Sequence, residues 1–293
     1  MLLNFVSLTR PTIWNAPTSA MLPRYTPFFM KQLFTTIVLA ISVNAFCQTE
    51  VTKTPYDEFI KTFNSKMDTV AWLCEYDNIA WWTSDSVYAT SKEEQAKLGA
   101  EWFCFKIGDI WHAVYGKYSS QNYDMVYHYE VDTNQFIKRV YTKIDSSILN
   151  SYSRAIVNGN KALDEYPDSI KIRFNQYIRR NSDNSMSVWF LPAFTRNGIA
   201  VYGGEFYYIF DPSGNNLILK SEYSQEYKGF KPDTKKEIWL DYSGKDEPTL
   251  GSIFFIWYYR KYFDRIIVDT KKFKSTLFHD EEKGYYWVHA AKD

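Results

Sequence analysis

The chain has 293 residues, of which 45% are hydrophobic and 23% charged, and its 34 basic side chains balance 34 acidic ones. These shares are those of a folded globular protein and exclude a disordered or collagen-like chain. The zero net charge argues against a nucleic-acid-binding domain, whose affinity comes from a surplus of basic residues. The unusual feature is the aromatic share of 19%, made up of 10 Trp, 24 Tyr and 21 Phe.

The start of the chain has the build of a secretory signal peptide. An apolar run at 33–45 follows Lys31, and small residues lie at its end. This order of basic start, apolar centre and small residues is what a signal peptidase cleaves. The run is shorter than the roughly 20 residues that span a bilayer, so no permanent membrane span is expected. Residues 30–47 are therefore predicted to be a signal peptide that is cleaved near Cys47, with cleavage after Ala45 as the alternative.

Two features of this segment qualify the prediction. Lipid attachment at Cys47 is disfavoured, because Phe46 stands where a small residue is needed. Residues 1–29 contain no acidic residue, and a start at Met30 would make them a translation-start artefact. Removing residues 1–47 takes away three basic residues and no acidic one, which leaves 31 basic against 34 acidic residues, a net charge of −3. The mature chain, 48–293, is predicted to be a secreted or periplasmic domain.

The first elements of the mature chain are helical. Thr54 is predicted as an N-cap with Pro55 in the first helical position, and apolar residues then recur at helical spacing as far as about Cys74. Ser91 opens a second, short helix through a capping-box sequence that Gly99 would end.

Strands dominate the middle of the chain. Four segments rich in aromatic and β-branched residues are separated by turn compositions and predict an antiparallel meander: 101–107, 110–118, 123–132 and 136–142. A second long helix follows at 148–163 and stops before Pro167.

The second half of the chain also consists mainly of predicted strands. Five strands are predicted, at 170–179, 186–191, 199–210, 217–223 and 237–242. Residues 253–262 are predicted as a buried helix, with a central strand as the alternative, and two strands close the chain at 265–269 and 285–289. The fold class is therefore α+β, with curved antiparallel sheets packed by two or three helices.

One short sequence occurs twice in the chain. The sequence Ala-Val-Tyr-Gly occurs at 113–116 and at 200–203, each time in a predicted strand that follows a Trp-Phe pair. Chance similarity of strand and turn sequences is the favoured explanation, and a duplication into two similar helix-plus-meander lobes, 48–145 and 146–293, is the alternative.

Candidate site residues are few. Cys74 and Cys104 permit one disulfide in an oxidising compartment, or are two buried free thiols. His112 and His128 would face each other across a hairpin centred near Ser120, with Glu130 on the same face, which is a weak metal-site candidate. The alternative is a pair of hydrogen-bonded histidines, and no metal is expected.

Catalytic signals are weak. Glu205 and Asp85 are candidate carboxylates for acid and base chemistry, as in glycoside hydrolysis, but their separation does not follow from the sequence. The Gly203-Gly204 pair indicates a bulge or a close backbone approach, and no phosphate-binding or nucleophile motif is present. No cofactor is expected.

The aromatic excess points to binding. Aromatic side chains line half-buried sheets and also line grooves that hold sugars and partner proteins. Trp81, Trp82, Tyr115 and Tyr202 are the candidate binding residues. The predicted function is a non-catalytic exported domain that binds a protein or glycan of the envelope through an aromatic surface, with no nucleic-acid partner. A secreted hydrolase acting on an envelope or extracellular polymer is the alternative.

Overall fold

The computed structural model describes residues 54–166, 172–195, 197–232 and 235–292. The predicted signal peptide at 30–47 and residues 1–29 lie outside the described residues. Within the described ranges, no helix combines the length and the apolar character needed to cross a membrane.

The helices begin where the sequence places N-caps. There are four in the described chain: α1 Pro55–Tyr88, α2 Lys92–Gln95, α3 Ser146–Asp164 and α4 Leu250–Tyr259, which a 3-10 turn at Arg260–Tyr262 follows. Thr54 Oγ1 accepts a hydrogen bond from the Asp57 amide at 3.2 Å, and the Asp57 carboxylate accepts one from the Thr54 amide at 3.0 Å. Ser91 accepts one from the Glu94 amide at 3.2 Å. These local bonds satisfy amides that a helix start leaves free, so both predicted starts are confirmed.

The predicted end of the first helix is wrong. Helix α1 has 34 residues and continues beyond Cys74 through Trp81 and Trp82. Its apolar face also continues, because Ile79, Ala80 and Val87 are all buried. Tertiary packing therefore holds this helix over a stretch in which β-branched and aromatic residues weaken the helical signal.

The first sheet is the predicted meander. Its strands pair in sequence order and are antiparallel: β1 Trp102–Ile107, β2 Ile110–Ser119, β3 Asn122–Val131 and β4 Ile137–Arg139. The second sheet has the same plan: β5 Phe174–Arg180, β6 Met186–Pro192, β7 Ala200–Phe210 and β8 Leu217–Phe230. A register shift between Tyr202 and Gly204 lies at the Gly203-Gly204 pair, where the sequence indicated a bulge.

The third sheet differs from the expectation. Its strands are β9 Lys236–Tyr242, β10 Phe263–Thr270, β11 Phe273–Asp280 and β12 Gly284–Ala291, in the order β12-β11-β10-β9. The β9–β10 pair is parallel, because α4 connects them as a crossover, so this sheet is mixed rather than antiparallel. Three strands close the chain instead of two, since 273–280 forms a strand. The described chain therefore has an α+β fold with three sheets and four helices.

Two core clusters hold these elements together. The larger combines side chains of α1 and α3 with the inward faces of the first two sheets, including the fully buried Tyr76, Tyr127 and Tyr208. The smaller lies between α4 and one face of the third sheet, and its members include Phe255, Ile256, Leu240 and Val268. The buried helix predicted at 253–262 is confirmed, and its aromatic run covers that sheet face.

Candidate functional site

The β2–β3 hairpin brings His112, His128 and Glu130 together, but in a different register from the predicted one. Ser120 and Gln121 both have positive φ, 49° and 69°, which is the two-residue turn that suits a hairpin. His112 is paired with Glu130, and not with His128, which is paired with Val114. The expected direct pairing of the two histidines is therefore wrong.

A bulge explains why the two imidazoles still meet. Gly116 is paired with Met125 whereas Tyr115 is paired with Tyr127, so Val126 is one extra residue on β3. Side chains alternate between the faces of a strand, and one added residue exchanges the faces of everything beyond it. Without the bulge His128 would lie on the opposite face from His112. With it, His128 and Glu130 both share the face of His112.

The three side chains lie close enough to act as one group. His112 Nδ1 is 2.9 Å from His128 Nε2 and 4.0 Å from a Glu130 oxygen, and the three nearest ligand atoms all fall within 4.8 Å of one another. Burial lowers the pKa of both histidines, and the neighbouring His128 lowers that of His112 further, while Glu130 opposes both shifts. Burial therefore favours the neutral form of both imidazoles.

The two carboxylate candidates have separate surroundings. The Glu205 carboxylate accepts a hydrogen bond of 2.6 Å from the Gly251 amide, in the first turn of α4. Burial raises the pKa of Glu205, and the bond to Gly251 and the charge of Lys66 oppose that shift. Asp85 is exposed on α1. Glu205 thus anchors a helix start, where a carboxylate is favoured by the free amides and the helix dipole.

The cysteines are unreactive in this structure. Cys74 and Cys104 are both free thiols, so the disulfide considered from the sequence is not formed. Burial raises the pKa of Cys74 to about 12 and the pKa of Cys104 well above its ordinary value. Both are therefore protonated at neutral pH and behave as small apolar groups.

The four predicted binding residues do not form an exposed surface. Tyr115 is buried, and its hydroxyl is hydrogen-bonded to Thr83 of α1 at 2.8 Å. Tyr202 is partly buried against Phe255, with ring centroids 4.6 Å apart. Trp81 and Trp82 are partly buried on α1, and Trp82 packs against the larger core. These aromatic side chains therefore contribute to packing, and the sequence-based choice of Tyr115 as a contact residue is wrong.

A groove of about 450 Å³ lies beside β1, α3 and β5 and is lined by Trp72, Lys106, Arg179 and Arg180 among others. Two of its cations, Arg179 and Lys106, have partners within the chain. The Arg179 guanidinium lies 5.3 Å from the Trp72 ring and 5.4 Å from the Trp189 ring. Lys106 lies 3.6 Å from Glu75. Because these two charges are already engaged, the groove is a weaker candidate for ligand binding than the surface described next.

The outer face of the third sheet is an open apolar surface. Register places Trp239, Ile267, Thr276 and Val288 side by side across its four strands. Trp239 is 63% exposed, and Phe278, Tyr286 and Val288 are 47%, 40% and 46% exposed. Phe278 and Tyr286 form a cross-strand pair whose rings stack at 6.0 Å. The opposite face of the same sheet is covered by α4, so this sheet is half buried and half open.

Comparison of the chain with protein-family models, curated proteins and solved structures gives no match. Its function is therefore argued from its own geometry.

A sequence signal for the open face does exist. In β9 the apolar residues Ile238, Leu240 and Tyr242 alternate with Glu237, Trp239 and Asp241. Because side chains alternate between the two faces of a strand, Trp239 lies on the same face as Glu237 and Asp241, which is the face exposed to solvent. The binding residues predicted from the sequence did not include this isolated tryptophan.

Proposed function

We propose that the chain is an exported, non-catalytic domain of the cell envelope, or a secreted one, that binds a partner protein or a glycan on the open face of its third sheet. The observation that supports this most strongly is Trp239, which is 63% exposed in a row that continues across all four strands. We define the aromatic face as Trp239, Ile267, Phe278, Tyr286 and Val288. Export rests on the predicted signal peptide at 30–47.

The size of the aromatic face suits a binding role. Large aromatic side chains bury roughly 150–250 Å² each, so covering the exposed parts of Trp239 and Phe278 removes about 200 Å² from water. At about 25 cal/mol per Å² this is worth about 5 kcal/mol before the costs of association. Contiguous exposed apolar surface of this kind is typical of an interaction site.

The charges around the aromatic face have both signs. Glu237 and Asp241 flank Trp239 on β9, while Arg265 on β10 and Lys274 on β11 are also exposed. The Lys274 ammonium lies 5.7 Å from the Trp239 ring centroid. A polar rim of mixed charge around an apolar centre is the common anatomy of a protein interface, and it offers no basic stripe for a nucleic acid.

A secreted hydrolase remains the alternative hypothesis. Its candidate groups were Glu205 and Asp85. Glu205 accepts the Gly251 amide at a helix start, and Asp85 lies exposed on a different element. The aromatic face therefore supports the binding hypothesis better than these carboxylates support a catalytic one.

Photo-crosslinking tests the proposal and separates the two ligand classes. A photoreactive amino acid is placed at position 239, and the protein is exposed to an envelope extract, while the wild-type protein is screened on a glycan array. We expect either a crosslinked protein or a defined set of glycans. Trp239→Ala and Phe278→Ala should weaken the binding of that ligand at least tenfold, because each removes a large part of the apolar contact.

Phe136 is the matched control. It is 66% exposed, as Trp239 is, but it lies in the connection between β3 and β4 of the first sheet. Phe136→Ala and a photoreactive residue at position 136 should leave binding and crosslinking unchanged. Equal binding by the wild-type protein and by both aromatic-face variants would contradict the proposal.

We also propose that the first two sheets are two similar helix-plus-meander units. The support is their common plan, a helix followed by four antiparallel strands that pair in sequence order. The third sheet, which carries the aromatic face, lies outside this plan. Superposition of the two units in an experimental structure tests the idea, and unrelated strand lengths and twists would count against it.

A further inference from the structure

We propose that His112, His128 and Glu130 bind a zinc ion. This site is separate from the aromatic face, because it lies on the first sheet and uses no residue of the third. It adds a metal ligand to the function proposed above.

The proton arrangement in the histidine pair favours a metal. His112 Nδ1 and His128 Nε2 are 2.9 Å apart, a distance that leaves room for one shared proton. One of these two nitrogens must therefore present a lone pair to the other. His128 Nδ1 lies 3.4 Å from the Thr142 carbonyl oxygen, which can only accept a hydrogen bond. With its proton on Nδ1, His128 directs the Nε2 lone pair into the cluster.

The contact between His128 Nδ1 and the Thr142 carbonyl oxygen is also typical of a zinc-binding histidine. A ligating histidine commonly donates its second ring N–H to a backbone carbonyl, which holds the tautomer and the ring orientation. The His112 ring is also held in place, because it stacks on Phe105 with a centroid separation of 5.3 Å and an angle of 16°. When zinc takes the place of the shared proton, the His112 proton moves to Nε2. Both imidazoles stay neutral and no proton leaves the pair.

The three ligand atoms, which lie within 4.8 Å of one another, must move closer together to bind zinc. Zinc binds His nitrogen at about 2.0–2.1 Å and carboxylate oxygen at about 2.0–2.2 Å, so tetrahedral ligands lie roughly 3.3–3.5 Å apart. The histidine nitrogens at 2.9 Å would open slightly, and the Glu130 oxygen at 4.0 Å from His112 would move inward. Glu130 can make this movement because its side chain is 29% exposed.

The donor set selects the metal. Two imidazole nitrogens and one carboxylate oxygen suit zinc, whereas Mg²⁺ and Ca²⁺ prefer oxygen ligands throughout. Three protein ligands leave the fourth tetrahedral position to a water molecule.

Titration with ZnCl₂ tests the proposal. The full chain, purified without a histidine tag and treated with EDTA, is titrated by calorimetry and followed by thermal unfolding. We expect one zinc per chain with a micromolar or tighter Kd, a melting temperature that rises with zinc, and reversal by EDTA. MgCl₂ at the same concentrations should have no effect. CoCl₂ should produce the visible absorption of tetrahedral Co²⁺.

Variants locate the ion. His128→Gln and Glu130→Gln should each weaken zinc binding at least tenfold, while His279→Gln, an exposed histidine on β11, should bind as the wild type does. Glu130→Gln keeps the test decisive if His128→Gln does not fold, because Glu130 is partly exposed. The proposal is overturned if the wild type binds no zinc at 100-fold molar excess over the protein. It is also overturned if Glu130→Gln binds zinc as tightly as the wild type, or if His279→Gln abolishes binding.

Discussion

Gly116→Ala is the sharpest test of the bulge that brings the histidines together. A Cβ atom built on Gly116 would lie 2.2 Å from the Asp124 carbonyl oxygen and 2.9 Å from the Tyr123 ring. The nearer atom belongs to the backbone of the paired strand β3, so it cannot rotate away as a side chain would. The strand pair must separate, or the bulge must move.

The expected cost is about 3 kcal/mol of unfolding free energy. Forcing an extra carbon into a packed site costs roughly 1–3 kcal/mol, and the backbone contact places Gly116 at the upper end. For a chain of this size 1 kcal/mol corresponds to about 2–4 °C, so the melting temperature should fall by about 6–12 °C. Scanning calorimetry measures the shift directly.

Gly244→Ala is the matched control. A Cβ at Gly244 would have nothing within 4 Å, and its backbone has no positive φ. We expect this variant to melt within about 2 °C of the wild type, as surface substitutions usually do. If the Gly116→Ala and Gly244→Ala proteins had the same melting temperature, strands β2 and β3 would be able to relax freely around the added methyl group. The close approach that sets the hairpin register would then be refuted.

Three further predictions concern buried polar groups. Tyr76→Phe should cost about 1–3 kcal/mol in denaturant unfolding, because the Cys104 amide donates to the Tyr76 hydroxyl at 3.0 Å and would lose its acceptor; an unchanged midpoint would be the contrary result. Glu205→Gln should keep an acceptor for the Gly251 amide and remain close to wild-type stability, whereas Glu205→Ala should melt lower, and equal melting of the two would contradict the anchoring role. Burial raises the pKa of Asp77, against hydrogen bonds that include one of 2.8 Å from the Tyr177 hydroxyl. Between the unfolded value of about 3.9 and the raised folded value the folded chain binds more protons, so acidification stabilises it through Asp77. The melting temperature of Asp77→Asn, relative to that of the wild type, should therefore rise as the pH is raised from 4 to 7. A difference in melting temperature that does not change with pH would argue against the raised pKa of Asp77.

Local chemistry made part of the fold predictable. The capping residues Thr54 and Ser91 act within a few residues of themselves, so the starts of α1 and α2 follow from the sequence. The strands of the first meander follow from their aromatic and β-branched residues and from turn composition. The run 253–262 was recognisable as a helix because its length exceeds that of a typical strand and Pro248 precedes it.

Tertiary structure decided what depends on distant residues. The end of α1 is set by its packing, since Ile79 and Val87 are buried in the larger core cluster, which contains residues of the first two sheets. The β9–β10 pair is parallel because α4 crosses over, which no local pattern in either strand reveals. The histidine register depends on one extra residue, Val126, and a single bulge reverses the face of every residue beyond it.

The sequence by itself determined the residue types of the candidate sites, and the fold determined their roles. His112, His128 and Glu130 could be grouped in advance because a hairpin keeps neighbours in sequence near one another. Glu205 could not be assigned, because its partner Gly251 lies 46 residues away. The aromatic excess likewise had no location until burial was known: Tyr115 lies inside and Trp239 lies outside. Exposure is a property of the whole packed chain, and composition alone does not contain it.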